Sequence, residues 1–229
     1  MQTVLTPEHK TGIFIQELKN RFLCEVEIDG ESTVCYVPSS CHLSNFLDLK
    51  GKSVLLAPTQ SKNARTQFAL FAIPYKKNYI LLNTSMANRA VADSIKGRRF
   101  SFLGKRGTIY TEHYVGGYKS DIYIQDTNTI IEVKSVLSTE KCALFPTVFS
   151  ERALKQLEKL RDLLSLGYRV HYSVTSLNPY VSSIYFVSDA QFTPLLKSCI
   201  DLGMTISAFS CRIDDNRVYI DKRLQIILP

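Results

Sequence analysis

Ser120-Asp121-Ile122-Tyr123-Ile124, then Gln125 to Asn128, then Ile130-Ile131-Glu132-Val133-Lys134-Ser135 form two apolar runs, interrupted by three charges and joined by a polar turn. Side chains on a strand alternate between faces. Ile122 and Ile124 therefore oppose Asp121 and Tyr123, and Ile131 and Val133 oppose Glu132 and Lys134. The stretch reads as a hairpin with one apolar face for a core. A turn centred on Thr127-Asn128 sets Asp121 opposite Lys134 and diagonal to Glu132, so that all three charges meet on the other face. This depends on register: a slip of one residue would part Asp121 from Glu132.

Outward from the hairpin, Asn83 to Lys96 predicts a helix with Met86, Ala90, Val91 and Ile95 on one face and Gly97 as its stop. Ile109-Tyr114 predicts a strand, and Val148 to Leu166 a helix that turns Leu154, Leu157, Leu160 and Leu164 inward and ends at Gly167. Strands at Arg169-Val174, Ser183-Val187 and Met204-Ser210 surround a helix at Ala190-Leu202. Helices placed between strands return the chain for parallel pairing, so 83–229 is expected to be an α/β domain with a mixed sheet.

Before it the texture differs. Ile13-Leu18, Phe22-Ile28, Thr33-Val37, Val54-Ala57, Phe68-Ile73 and Tyr79-Leu82 are short apolar or alternating runs between Gly, Pro, Asn and Lys turns. Residues 1–82 are therefore expected to form a small β-barrel of the oligonucleotide/oligosaccharide-binding (OB) kind, whose open face often holds single strands. Phe14, Phe22, Tyr36, Phe68 and Phe71 are either stacking platforms on that face or barrel core. The whole reads as an α+β chain of two domains.

Composition narrows the function classes. With 229 residues, 45% hydrophobic and 21% charged, the chain has the balance of a folded protein rather than a disordered one. Its longest apolar runs, such as Ala69-Ile73, fall far short of the roughly 20 residues that cross a bilayer, and Met1-Lys10 holds no apolar signal region. No membrane contact and a cytoplasmic location are expected. The six cysteines are scattered without a Cys-x-x-Cys pair, as buried free thiols rather than zinc ligands. A net charge of +7 leans toward polyanions. Lys96, Arg98, Arg99, Lys105 and Arg106 lie in an acid-free run and are either a phosphate-contacting loop or a solvated turn. The sequence leaves monomer and homodimer open.

Two neighbouring carboxylates repel each other, and a hard dication bound through oxygen, Mg²⁺ or Mn²⁺, keeps both ionised. The backbone carbonyl of Val133 can add a ligand, and Lys134 on the same face can position a water for attack on phosphorus. That is phosphodiester hydrolysis. The alternative is a structural salt bridge on an exposed strand face.

Asp121 with Glu132-Val133-Lys134 resembles the core motif of the PD-(D/E)XK nuclease superfamily. Arg21-Phe22-Leu23, Asn83-Thr84 with Ala87-Asn88-Arg89, Lys119-Ser120-Asp121, Ile131 to Val136, and Phe145-Pro146 leading into Ser150-Glu151-Arg152 resemble one branch of it, the sugar fermentation stimulation protein A (SfsA) family. The resemblance implies an OB-like barrel joined to a nuclease-like domain acting on DNA or RNA. It also implies that Asp121 and Glu132 hold the metal, that Lys134 serves the water, and that Glu112 adds an acidic ligand. Arg152 and Gln156 would then face nucleic acid from the following helix. The family tends to have histidine where this chain has Gln156, which cannot shuttle a proton. Lys119-Ser120 and Pro38-Ser39-Ser40-Cys41 are further departures from its pattern. The family's name implies an alternative, a DNA-binding regulator of sugar metabolism without turnover, in which Arg98 and Arg106 matter most.

Overall fold

In the computed structural model, residues 4–5, 9–39, 42–59, 63–147, 150–214 and 217–229 are described; Ser40, Cys41 and Val148 lie outside them. The first strand, β1 (Val4–Leu5), is followed by β2 (Lys10–Glu17), β3 (Leu23–Ile28), β4 (Glu31–Tyr36), β5 (Ser53–Pro58), β6 (Phe68–Tyr75) and β7 (Asn78–Leu81). Alternation turns Cys24, Val26 and Ile28 inward on β3, where they meet Phe14, Val54, Leu56 and Leu70. The order β4-β3-β2-β5-β6 is closed by a parallel bridge from Tyr36 to Ala69, giving a five-strand barrel with β7 appended to β6. This is the OB topology that the turn spacing predicts. Asp29-Gly30, both at positive φ, makes the two-residue turn between β3 and β4.

Gly12 is fixed by close approach. A Cβ there would lie 2.5 Å from Val26 Cγ1 and 2.8 Å from the Glu27 carbonyl oxygen. Because one obstacle is backbone, Gly12→Ala is expected to cost about 1–3 kcal/mol by overpacking. A denaturant midpoint equal to that of the parent chain would contradict this.

The second unit begins with α1 (Thr84–Ser94), whose N-cap Asn83 accepts a hydrogen bond from the Ser85 N–H. After a 3₁₀ stretch at Arg98–Leu103 come β8 (Ile109–Val115), β9 (Tyr118–Ile124), β10 (Thr129–Val136) and β11 (Cys142–Phe145). Then follow α2 (Glu151–Ser165), β12 (Arg169–Ser176), β13 (Ser183–Phe186), α3 (Phe192–Asp201), β14 (Thr205–Asp214), β15 (Arg217–Arg223) and β16 (Gln225–Ile227). The main sheet runs β1-β15-β14-β12-β10-β9-β8, parallel through β10, β12 and β14 and antiparallel elsewhere. A small parallel sheet, β11-β13-β16, stands beside it. The mixed sheet is as expected; β1 and β15 are additions to it, and β11 and β16 are additions that form the small sheet with β13.

One face of the sheet packs on α2 and α3 through Ile130, Leu157, Leu160, Tyr172 and Leu196. The other packs on α1 and on the outside of the barrel, where Phe71 and Leu81 join Met86, Val91, Ile122 and Ile131 in one core. The two units are thus fused by apolar burial, and β1 reinforces the joint by adding to the far edge of the second unit's sheet. Cys24, Cys35, Cys199 and Cys211 are buried thiols, whereas Cys142 is exposed.

Candidate active site

β9 and β10 pair from Thr129↔Ile124 to Ile131↔Ile122. That register is two residues from the one expected from the turn, because a 3₁₀ turn at Gln125–Thr127 and a left-handed Asn128 shorten the connection. It sets Asp121 across from Glu132 rather than Lys134. A two-residue slip preserves the face, so the three charges still converge.

Beyond Ile122 the ladder stops, and the Asp121 side chain takes its place: Oδ2 accepts the Val133 N–H at 2.7 Å. Asn88 of α1 reaches the other oxygen, Oδ1, at 3.4 Å. In a strand the N–H and C=O of one residue point to the same side, so the Val133 carbonyl also faces Asp121. Glu132, 3% exposed, is gripped from two sides. Lys134 Nζ donates to Oε1 at 2.6 Å and the Tyr118 hydroxyl donates to Oε2 at 2.5 Å. Lys134 Nζ also donates to Gln156 Oε1 on α2, at 2.6 Å. Two carboxylates, a carbonyl, an ammonium and an amide thus meet where β9 leaves β10 and α2 begins.

The electrostatics of this gap are unbalanced. Burial, and then repulsion from Glu132, push the Asp121 carboxyl up to about 7, against the pull of the Val133 N–H and Lys134. Tyr172, the β12 register partner of Glu132, is wholly buried, and its hydroxyl has no hydrogen-bond partner. A pair of hard oxygen donors short of positive charge, beside an orphan hydroxyl, fits a divalent cation of the Mg²⁺, Mn²⁺ or Ca²⁺ type. Among the described residues, no group of three or more His, Cys, Asp or Glu side chains is disposed to hold a metal, so any cation here takes the remainder of its ligands from backbone or solvent.

The other residues singled out in the sequence fall elsewhere in the fold. Glu112 adjoins Asp121 on β8, but it is exposed and ion-paired with Lys119. Arg152 is exposed on the first turn of α2. The basic run is not gathered at the carboxylates: Arg99 donates to the Asp221 carbonyl, Arg106 donates to the Phe100 carbonyl, and Lys105 lies 3.5 Å from Asp126. Gly104 abuts Thr127 and Arg169, at the starts of β10 and β12. The carboxylate pair lies further along, with Glu132 about 10 Å up the strand from Thr129. Arg98 is exposed within the same 3₁₀ stretch. Phe14 and Phe71 are core, while Phe22 and Tyr36 are exposed and stack on each other, ring centroids 6.5 Å apart.

Comparison with known proteins places the chain. The model of the "SfsA N-terminal OB domain" matches residues 18–82, and that of the "Sugar fermentation stimulation protein RE domain" matches residues 85–217. The chain belongs to the sugar fermentation stimulation protein family. A family member from Caldanaerobacter subterraneus subsp. tengcongensis is 33% identical over 226 residues, 95% of this chain and 96% of its own length. One from Natranaerobius thermophilus is 27% identical, over 92% of this chain and 91% of its own. The solved structure of Pyrococcus furiosus SfsA in complex with Ca²⁺ shares the fold, with a TM-score of 0.85 at 20% identity over 99% of both chains.

Within this family frame, Tyr118, Asn88 and Tyr172 are contacts that residue spacing does not reveal. Tyr118 is three residues from Asp121, so strict alternation would send it to the opposite face. Tyr118 and Ile122 have the same parity yet sit in opposite cores. The alternation breaks opposite Glu112, whose φ is +53. Tyr118→Phe keeps the ring and leaves one oxygen of a buried carboxylate without its donor. It is expected to cost about 1–3 kcal/mol, read as a lower urea midpoint at constant slope; no change would mean that water replaces the hydroxyl.

Proposed function

We propose that this chain hydrolyses phosphodiester bonds in DNA or RNA with the help of Mg²⁺ or Mn²⁺. The observation that carries the reading is the convergence of Asp121, Glu132 and Lys134 at the point where β9 parts from β10. Asp121, Glu132 and the Val133 carbonyl would hold the metal, which when bound polarises a phosphoryl oxygen and lowers the pKa of water. Lys134 is oriented by Glu132 and Gln156, so its ammonium is pre-positioned to hold the attacking water and offset charge as it develops. Gln156 has no group that titrates near neutral pH and serves to aim Lys134. Arg152, exposed at the start of α2, offers a forked donor to a phosphate. The OB barrel would hold the strand. The Ca²⁺ of the Pyrococcus furiosus structure supports a hard dication in this fold.

The test is incubation of the pure protein with single- and double-stranded DNA and RNA, with and without Mn²⁺, beside Asp121→Ala. Mn²⁺-dependent cleavage that disappears in the variant is the expected result. Cleavage that survives in it removes these residues from the mechanism, and binding without any cleavage would replace hydrolysis by a regulatory role.

A further inference from the structure

A groove of about 560 Å³ runs between the outside of the barrel and α1. Its floor is apolar, formed by Phe71 and Met86, and Tyr36, 40% exposed, stands on one wall. Its rim carries Arg65 and Arg89, both exposed. No carboxylate lines it among the described residues. Just outside, Arg21 lies over the Phe22 ring, 4.8 Å from its centroid, and Phe22 in turn stacks on Tyr36. Apolar floor, exposed aromatic face and cationic lip together match a flat apolar body that carries negative charge. The volume lies in the range of about 300–1,000 Å³ typical of clefts for small organic molecules, enough for one or two nucleotides. A duplex, whose bases are stacked and paired inside, can present neither a free base face to Tyr36 nor a body narrow enough to enter.

The groove also has a fixed relation to the carboxylates. Arg89 is on its rim, and the preceding residue of α1, Asn88, donates to Asp121. Consecutive helix positions are about 100° apart around the axis, so α1 presents one side to the groove and a neighbouring side to the acidic pair. A strand leaving the groove over the first turns of α1 arrives at Asp121.

We infer that this groove takes unpaired nucleotides, with a base against Tyr36 and the backbone phosphates on Arg65 and Arg89, so that the substrate is a single strand or a frayed end rather than intact duplex. This rests on nucleic acid being the substrate, as proposed above, but not on cleavage. Both DNA and RNA offer the stacked base and the phosphate, and a ribose or deoxyribose strand distinguishes them.

The experiment is fluorescence anisotropy of labelled single-stranded DNA, single-stranded RNA and the matching duplexes, in EDTA so that nothing is cut. It uses the full chain and the variants Tyr36→Ala and Arg65→Ala/Arg89→Ala, each checked for folding by its thermal melt. At least one single strand is expected to bind tighter than its duplex. Tyr36→Ala should weaken it about tenfold or more, and the double arginine variant should flatten the salt dependence by about 0.7 per arginine removed. Duplex binding as tight as single strand, or single-strand affinity unmoved by both groove variants, overturns the inference. If the parent cleaves with Mn²⁺ while the groove variants bind normally, the groove fails and the nuclease stands. Groove-dependent binding by a protein that never cleaves leaves the groove standing and the nuclease fallen.

Discussion

Asp121→Asn is expected to make the metal-free protein more stable at neutral pH while abolishing Mn²⁺-dependent cleavage. The side chain is nearly isosteric, and its oxygen can still accept the Val133 N–H that Asp121 now holds at 2.7 Å. What disappears is a carboxylate that burial and Glu132 push from 3.8 up to about 7. The sign follows from proton counts. Between about pH 4 and 7 the unfolded chain has released this proton and the folded chain has kept it, so stability falls as pH rises through that window and levels off above it. A shift of this size corresponds to a loss on the order of 4 kcal/mol at neutral pH. Asparagine removes it, raising the melting temperature by roughly 8–16 °C for a chain of this length. Urea or thermal melts in EDTA from pH 4 to 8 should show the parent declining with pH and the variant flat by comparison. Mn²⁺ should stabilise the parent, since a ligand that binds only the folded state shifts the equilibrium toward it. The same substitution withdraws a proposed metal ligand, and cleavage should fall about 1,000-fold or more if the cation supplies several kcal/mol of transition-state stabilisation. An Asn variant no more stable than its parent at pH 8 would mean that neither burial nor Glu132 raises the Asp121 carboxyl in solution.

The acidic pair was legible in the sequence because strand alternation is robust to the kind of error a turn introduces. Asn128 adopts αL and tightens the connection, which moves the pairing by two residues, and a shift of two returns every side chain to its original face. The barrel was legible for a related reason: its strands are short, apolar or alternating, and separated by turn residues, and the interior collects the side chains that point inward. Contacts set by distant register or by backbone acceptors left no such signal. Tyr172 is set beside Glu132 only by the parallel pairing of β10 with β12, which no local pattern encodes. Arg99 and Arg106 look available in a basic run, but each commits one guanidinium nitrogen to a carbonyl, of Asp221 and Phe100, and acceptors of that kind are the same in every sequence. β15 was hidden because Arg217, Asp221, Lys222 and Arg223 dilute an alternation carried only by Val218 and Ile220.

Lys134→Met is expected to destabilise the fold as strongly as it impairs cleavage, which separates an ion pair within the fold from one on its surface. Lys134 Nζ lies 2.6 Å from Glu132 Oε1, and the two side chains are only 19% and 4% exposed. Removing the ammonium leaves a buried carboxylate with Tyr118 as its remaining side-chain donor. Breaking a buried pair in this way costs about 3–5 kcal/mol, far above the 0–1 kcal/mol of an exposed pair. In a chain of this size the melting temperature should fall by roughly 10 °C. Glu132→Gln combined with Lys134→Met leaves no buried charge at the pair, so the double variant should recover much of the loss, with a coupling of about 1–3 kcal/mol between the two positions. Cleavage should stay absent in both, because the double variant restores the fold without restoring the proposed ligand or the ammonium. A Lys134→Met protein that melts with its parent would place the ammonium in solvent, and Lys134 would then lack the fixed orientation that a water-positioning role requires.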